Sequence, residues 1–321
     1  MDTSAGTHFE KTTIVPLYYT VWNTPFLMPP PSVTPPLHII QDVTLENMKG
    51  IISSKNFELW KEHVSSRDRE DLALISICLV NRFKSREHVG LLEQRSEQLL
   101  HKVFVCLRIV KPTRSPFHMV QFKREESGEV DVFRFTHPDR REVNVPDAET
   151  LNAITSNDLD VLRKVITPFL KVTESGPDNL RRAIRLFEEG YSEVYDPVLQ
   201  LLVWVMGIEA AFVKGGKPLP RKLLFQANER QVGFNRDICE DSGEREFIKV
   251  PSPLTVGDTI HDLFNLRNRL VHRGWIEKDW AAKGGRRSVL GETVPYADVL
   301  REAASFILRK SILSFLTAPP Q

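Results

Sequence analysis

The residues of this chain whose types and spacing can carry chemistry lie between Asp258 and Gly274, in the stretch DTIHDLFNLRNRLVHRG. His261, Asn265, Asn268 and His272 recur at spacings of 4, 3 and 4, which stacks them along one edge of a helix. Arg267 falls instead on the apolar face made by Ile260, Leu263, Phe264, Leu270 and Val271. A fixed cation, two carboxamides and two imidazoles in one place are the ingredients of a polar site. A helix with only a structural role would more cheaply carry Lys, Glu and Ala along that edge. Asp258 can cap the first turn, and Gly274 suits the left-handed residue that ends a helix.

An ionised guanidinium on an apolar face is expensive unless a carboxylate meets it. The chain offers one suitable partner. Pro197 opens the least polar stretch in the sequence, VLQLLVWVMGIEAAFV over Val198–Val213, whose only formal charge is Glu209. A helix apolar all round is expected at the centre of its bundle. Two lone charges, each costly by itself, are expected to meet, so Glu209 and Arg267 are predicted to form a buried ion pair between the two helices.

Arg267-Asn268-Arg269-Leu270-Val271-His272 resembles the Arg-polar-x-x-x-His motif of the HEPN superfamily, helical domains that include many metal-independent RNA endonucleases. The Ile208–Phe212 segment resembles the apolar helix of Apea-like HEPN proteins, in which a glutamate precedes an aromatic residue. The order of elements over about 140 residues is similar as well: an arginine-bearing helix, the apolar helix with its Glu, a connecting helix, the motif helix and a closing helix. On the motif residues alone, a buried arginine paired with a glutamate beside a helix-end histidine fits equally well.

The resemblance implies RNA cleavage by attack of the ribose 2′-hydroxyl on its own phosphodiester, with no metal and no cofactor. Arg267, Asn268 and His272 would be the catalytic set, and Glu209 their structural support. His272 would move the proton, its place in the last helical turn favouring the imidazolium. The resemblance also implies a homodimer through the HEPN domain that brings two motifs together, and a toxin or antiviral defence effector with an antitoxin or trigger of unstated identity. The alternative is a non-enzymatic HEPN module for dimerisation or ligand sensing.

Composition bounds these readings. The chain has 321 residues, 41% hydrophobic and 26% charged, which is ordinary for a globular protein with room for two cores. Its formal net charge is +1, so RNA binding requires a local patch. From His261 through Leu290 there are seven Lys and Arg residues against three carboxylates. Among the cations, Arg269, Arg273, Arg286 and Arg287, with His261 and Asn265, are the candidate RNA contacts. Cys78, Cys106 and Cys239 are widely spaced, which argues against a disulfide framework or a zinc site. No cluster of His, Cys, Asp and Glu has metal-ligand spacing. The absence of a leader and of an 18-residue apolar run makes a cytoplasmic protein with no membrane partner the expectation.

The elements that must position the site form an α+β chain: a mixed α/β domain over 1–172, expected to sense or regulate, and an all-α HEPN bundle over 178–321. Thr12–Trp22 reads as an edge strand because of Pro16, and Pro29–Pro36 as an extended loop. Leu37–Val43 reads as a short strand, followed by a Thr44 cap and helices over Ser54–Val64 and Asp68–Phe83. A helix is expected from Ser85 toward Arg108, and a hairpin from Phe117–Lys123 and Val130–Thr136. Asn157 is expected to cap a helix to Leu170, Gly176-Pro177 to break the chain, and Asp178 to cap Asn179–Tyr191. Arg221–Phe234 reads as a further helix, and Tyr296–Leu316 as an amphipathic closing helix.

Overall fold

The computed structural model describes residues 9–17, 36–41, 43–47, 77–85, 89–111, 119–124, 130–136, 154–192, 197–212, 260, 262–268, 286–289 and 292–318. The expected loop at Pro29–Pro36, apart from Pro36 itself, and the expected helices over Ser54–Val64 and Arg221–Phe234 lie outside them. The described residues combine helices with antiparallel sheet, an α+β chain. It divides into two compact units, 1–141 with 152–166, and 142–151 with 167–321.

The first unit is built on a six-stranded sheet of order β2-β3-β4-β1-β5-β6, every pairing antiparallel. The strands are β1 (Phe9–Leu17), β2 (Leu37–Ile40), β3 (Val43–Asn47), β4 (Ile77–Ser85), β5 (Met119–Arg124) and β6 (Val130–Thr136). Helix α1 (Val89–Val110) packs on β1 and β4. Val43, Leu45, Leu79, Val80 and Cys78 are buried in the sheet, and Leu100, Val103, Leu107 and Ile109 in the helix.

Four elements differ from the expectation. Pro16 does not put its strand at an edge: β1 lies between β4 and β5. The β1–β5 ladder runs from Glu10 to Ile14 and stops before the proline, so β5 asks Pro16 for no amide proton. The expected strand at Leu37–Val43 is two strands, turned at Gln41, whose φ of 46° is left-handed. Thr44 caps no helix. It stands inside β3, where its hydroxyl donates to Glu46 Oε1 at 2.7 Å. The residues from Ile77 expected as helix form β4, because a continuous apolar run such as Ile77-Cys-Leu-Val80 carries no period that separates helix from buried strand. By contrast α1 stays helical through its β-branched end, and β5 pairs with β6 as the alternation predicts.

Helix α2 (Ser156–Ser175) contributes to both units, and the division falls between Ile166 and Thr167 rather than at Thr173–Pro177. Its cap is Thr155, not Asn157. The Thr155 hydroxyl accepts from the Asp158 amide at 3.2 Å, while Asp158 Oδ2 accepts from the Thr155 amide at 2.8 Å. Two orphan donors are satisfied reciprocally, so the cap stands two residues earlier than expected. In the first unit Arg163 Nε donates to the His38 carbonyl of β2 at 3.2 Å.

The second unit contains α3 (Asp178–Ser192), α4 (Pro197–Ala211) and α5 (Tyr296–Thr317), which pack on one another. Arg181, Arg182 and Arg185 are on the exposed side of α3, as its periodicity predicts. Between α3 and α4 the caps are exchanged. Asn179 Nδ2, in the first turn of α3, donates to the Ala211 carbonyl at the end of α4 at 3.1 Å. Gln200, in the first turn of α4, donates to the Gly190 carbonyl in the last turn of α3. Each helix thus satisfies a terminal carbonyl of the other, which requires an antiparallel pair. Trp204 is fully buried and donates to the Phe187 carbonyl at 3.2 Å. A Cβ on Gly190 would run into its indole, so a side chain at 190 is incompatible with this packing.

The roles expected of α4 and α5 are partly exchanged. On α4, Leu199 and Met206 are 54 and 49% exposed, and the helix presents a stripe of Leu199, Leu202, Val203, Met206 and Glu209 that is not buried. The closing helix α5 is buried around most of its circumference, including Arg301, Ser305, Arg309 and Ser311. Tyr191 and Ser305 share a hydroxyl–hydroxyl bond of 2.6 Å. A short ribbon, β7 (Arg286–Val289) with β8 (Glu292–Pro295), leads directly into α5.

Candidate functional site

The motif helix is described over 262–268 and at 260. Ile260, Leu263, Phe264 and Leu266 are buried, Asp262, Asn265 and Asn268 are half-buried along the other side, and Arg267, on the face of Ile260, Leu263 and Phe264, is half-buried as well. The apolar anchors fix the helix on the core, and they bring position 267 beside the last turn of α4. Arg267 Nη2 donates to Glu209 Oε2 at 3.3 Å, and Arg267 Nη1 donates to Asn268 Oδ1 at 3.0 Å. The guanidinium is therefore shared between a carboxylate on another helix and the amide of its own neighbour.

The side chains of this pair are 31 and 26% exposed, so the ion pair is half-buried rather than buried. The reason is the position of Glu209 on the exposed stripe of α4. A pair of this exposure contributes on the order of 0–1 kcal/mol, well short of the penalty for breaking a buried one. Burial of Glu209 pushes its carboxyl above the usual glutamate range, and the Arg267 charge offsets only part of that.

The contact with Arg267 also fixes the Asn268 amide. A guanidinium only donates, so the atom facing it must be the carbonyl oxygen, and Nδ2 with its two protons points elsewhere. Among the described residues no further side-chain hydrogen bond is made by Asn268 or Arg267. Two members of the cluster, then, keep side-chain donors that no described residue accepts.

No known protein family, no curated protein and no solved structure matches this chain. The geometry stands by itself.

Of the residues singled out by sequence, Arg267, Asn268 and Glu209 are brought together. Asn265 is half-buried on the same helix. Arg286 and Arg287 have their backbone in β7, paired with Pro295 and Val294. His261, Arg269, His272 and Arg273 lie outside the described residues. No group of three or more His, Cys, Asp and Glu side chains converges among the described residues. Among those residues no helix is long and apolar enough to cross a membrane. Cys78 and Cys106 are buried thiols, both pushed far up by desolvation. The sequence reading did not anticipate the direct Arg267–Asn268 bond, since adjacent helical positions ordinarily point apart.

Proposed function

We propose that this protein is a metal-independent RNA endonuclease of the HEPN type, with Arg267, Asn268 and His272 as its catalytic residues. The observation that carries the reading is the state of Arg267. Its guanidinium is half-exposed and divided between Glu209 and Asn268, and a wholly structural arginine would spend its donors inside the protein. A half-exposed cation with N–H groups that no described residue accepts is suited to a phosphodiester.

In this mechanism the ribose 2′-oxygen attacks phosphorus as a base removes its proton. The bond from phosphorus to the 5′-oxygen breaks, and that oxygen is protonated by an imidazolium. A 2′,3′-cyclic phosphate and a 5′-hydroxyl result. Arg267 and Asn268 stabilise the charge that builds on the non-bridging oxygens, and His272 transfers the proton. Each protomer has one His272, so two motifs facing each other across a homodimer supply both acid and base. The resemblance further supports a toxin or defence effector regulated through the first unit, acting in the cytoplasm.

Total cellular RNA incubated with the purified chain in EDTA should be cut to products with cyclic phosphate ends, and DNA should survive for want of a 2′-hydroxyl. The His272→Ala variant should fold and dimerise but leave RNA intact. Equal cleavage by that variant would overturn the assignment and leave a dimerising or sensing module in its place.

A further inference from the structure

The pair Glu46–Arg82 in the first unit provides an internal standard for Glu209–Arg267. In β3 and β4, Arg82 grips Glu46 with both terminal nitrogens, Nη2 to Oε2 at 2.6 Å and Nη1 to Oε1, and Thr44 adds a hydroxyl. That carboxyl is held below the usual range, chiefly by the Arg82 hydrogen bonds. The second pair has a single contact of 3.3 Å, and Arg267 sends its other terminal nitrogen to Asn268. Two-handed gripping is how a carboxylate and a guanidinium satisfy each other. One-handed gripping holds the arginine in place and leaves the rest of its fork for something else.

We propose that Glu209 is a positioning residue: it fixes the Arg267 guanidinium so that the unspent N–H groups of Arg267 and the Nδ2 protons of Asn268 together face a phosphoryl oxygen. This rests on the RNA reading given above, and it gives Glu209, beyond support of the fold, a part in binding the ligand. In this relay the guanidinium donates to the Glu209 carboxylate with one terminal nitrogen and to the Asn268 amide oxygen with the other, so one residue sets the orientation of both donors. The protons that Arg267 and Asn268 keep are suited to an oxyanion.

Simple electrostatics and this relay predict opposite signs. If charge alone decided, removing a carboxylate beside a phosphate site would tighten binding of RNA. If Glu209 positions Arg267, the same removal loosens it. The probe is an RNA oligonucleotide with every 2′-hydroxyl methylated, which binds but cannot be cut, titrated by fluorescence anisotropy into the full chain. Glu209→Ala should weaken binding by roughly tenfold or more and lower the slope of log Kd against log salt by about one, the loss of one cation–phosphate contact. Glu209→Gln keeps a carbonyl acceptor at the same reach and should recover most of the affinity. Asn268→Asp still accepts from Arg267 but replaces two donors by a negative oxygen, so it should lose affinity without losing its melting transition.

Unmodified RNA, in parallel, separates this inference from the nuclease reading. Should the wild type bind the methylated probe and cut nothing, the cleavage reading falls, and the relay is still judged by the signs above. Unchanged or tighter binding by Glu209→Ala overturns the relay, whatever the cleavage result. So does a loss of affinity that merely follows a lowered melting temperature. A wild type that does not bind the methylated probe overturns both.

Discussion

At Glu46 the carboxylate is stabilised in its charged form by Arg82 and Thr44, and at Glu209 burial disfavours the charged form more than Arg267 restores it. The two should therefore respond oppositely to pH. A lowered carboxyl contributes stability above the unfolded range, and that stability is lost as pH falls through the folded value. Glu46→Gln should lower the melting temperature at neutral pH, by an amount equivalent to about 0.5–1 kcal/mol given that Arg82 is largely exposed, and the difference should shrink on acidification. A raised carboxyl binds more protons folded than unfolded, so stability falls as pH rises from the usual glutamate range through the raised value. Glu209→Gln should accordingly leave the melting temperature at pH 7 unchanged or higher, and match the wild type below the unfolded carboxylate range. Thermal melts of both variants over a pH series check the signs. The pairing of Glu209 with Arg267 is legible in sequence, because each is a lone charge in apolar surroundings. Its half-exposure is not, since that depends on what covers the Leu199–Met206 stripe of α4, a matter of distant contacts.

Elements were legible where period and caps agree. α3 has its arginines on one side and its apolar residues at helical spacing and covers the expected residues, but Asp178 does not cap it: it stands in the first turn paired with Arg181, and the Pro177 carbonyl accepts the first helical bonds. β4 was misread because a run of apolar residues suits a strand covered on both faces as well as a buried helix. Pro16 was misread because its edge-strand rule concerns amide protons, and the ladder to β5 ends short of it. The exchanged caps of α3 and α4 could not be seen at all, since they join residues 32 and 10 positions apart. They are testable. Gln200→Leu leaves the Gly190 carbonyl buried without its partner and should cost about 1–3 kcal/mol, whereas Asn179→Ala, at a half-buried end, should cost nearer 1 kcal/mol. Gly190→Ala must displace the Trp204 indole and should cost about 1–3 kcal/mol with a change in tryptophan emission. Urea unfolding followed by fluorescence reads all three.

For the whole molecule, composition and pattern were enough for an α+β chain. Gly176-Pro177 does end a helix, but the compact units divide earlier, inside α2. Turn chemistry marks where an element stops, and a boundary between cores is set by which residues each core buries. Phe169, fully buried, lies on the second unit's side of that division. A fragment beginning at Asp178 discards it. That fragment should melt lower than one beginning at Ile154, and circular dichroism of the two would show the order. Within α2, Pro168 has no amide proton to give the Lys164 carbonyl, and it stands two residues past Ile166, where the division falls. The helical ladder is thus interrupted beside the place where the helix passes from one core to the other. Amide protons on the two sides of Pro168 are then released by different opening events, one for each unit, and deuterium uptake along this single helix should change in a step at the proline, with no gradual fraying toward its ends.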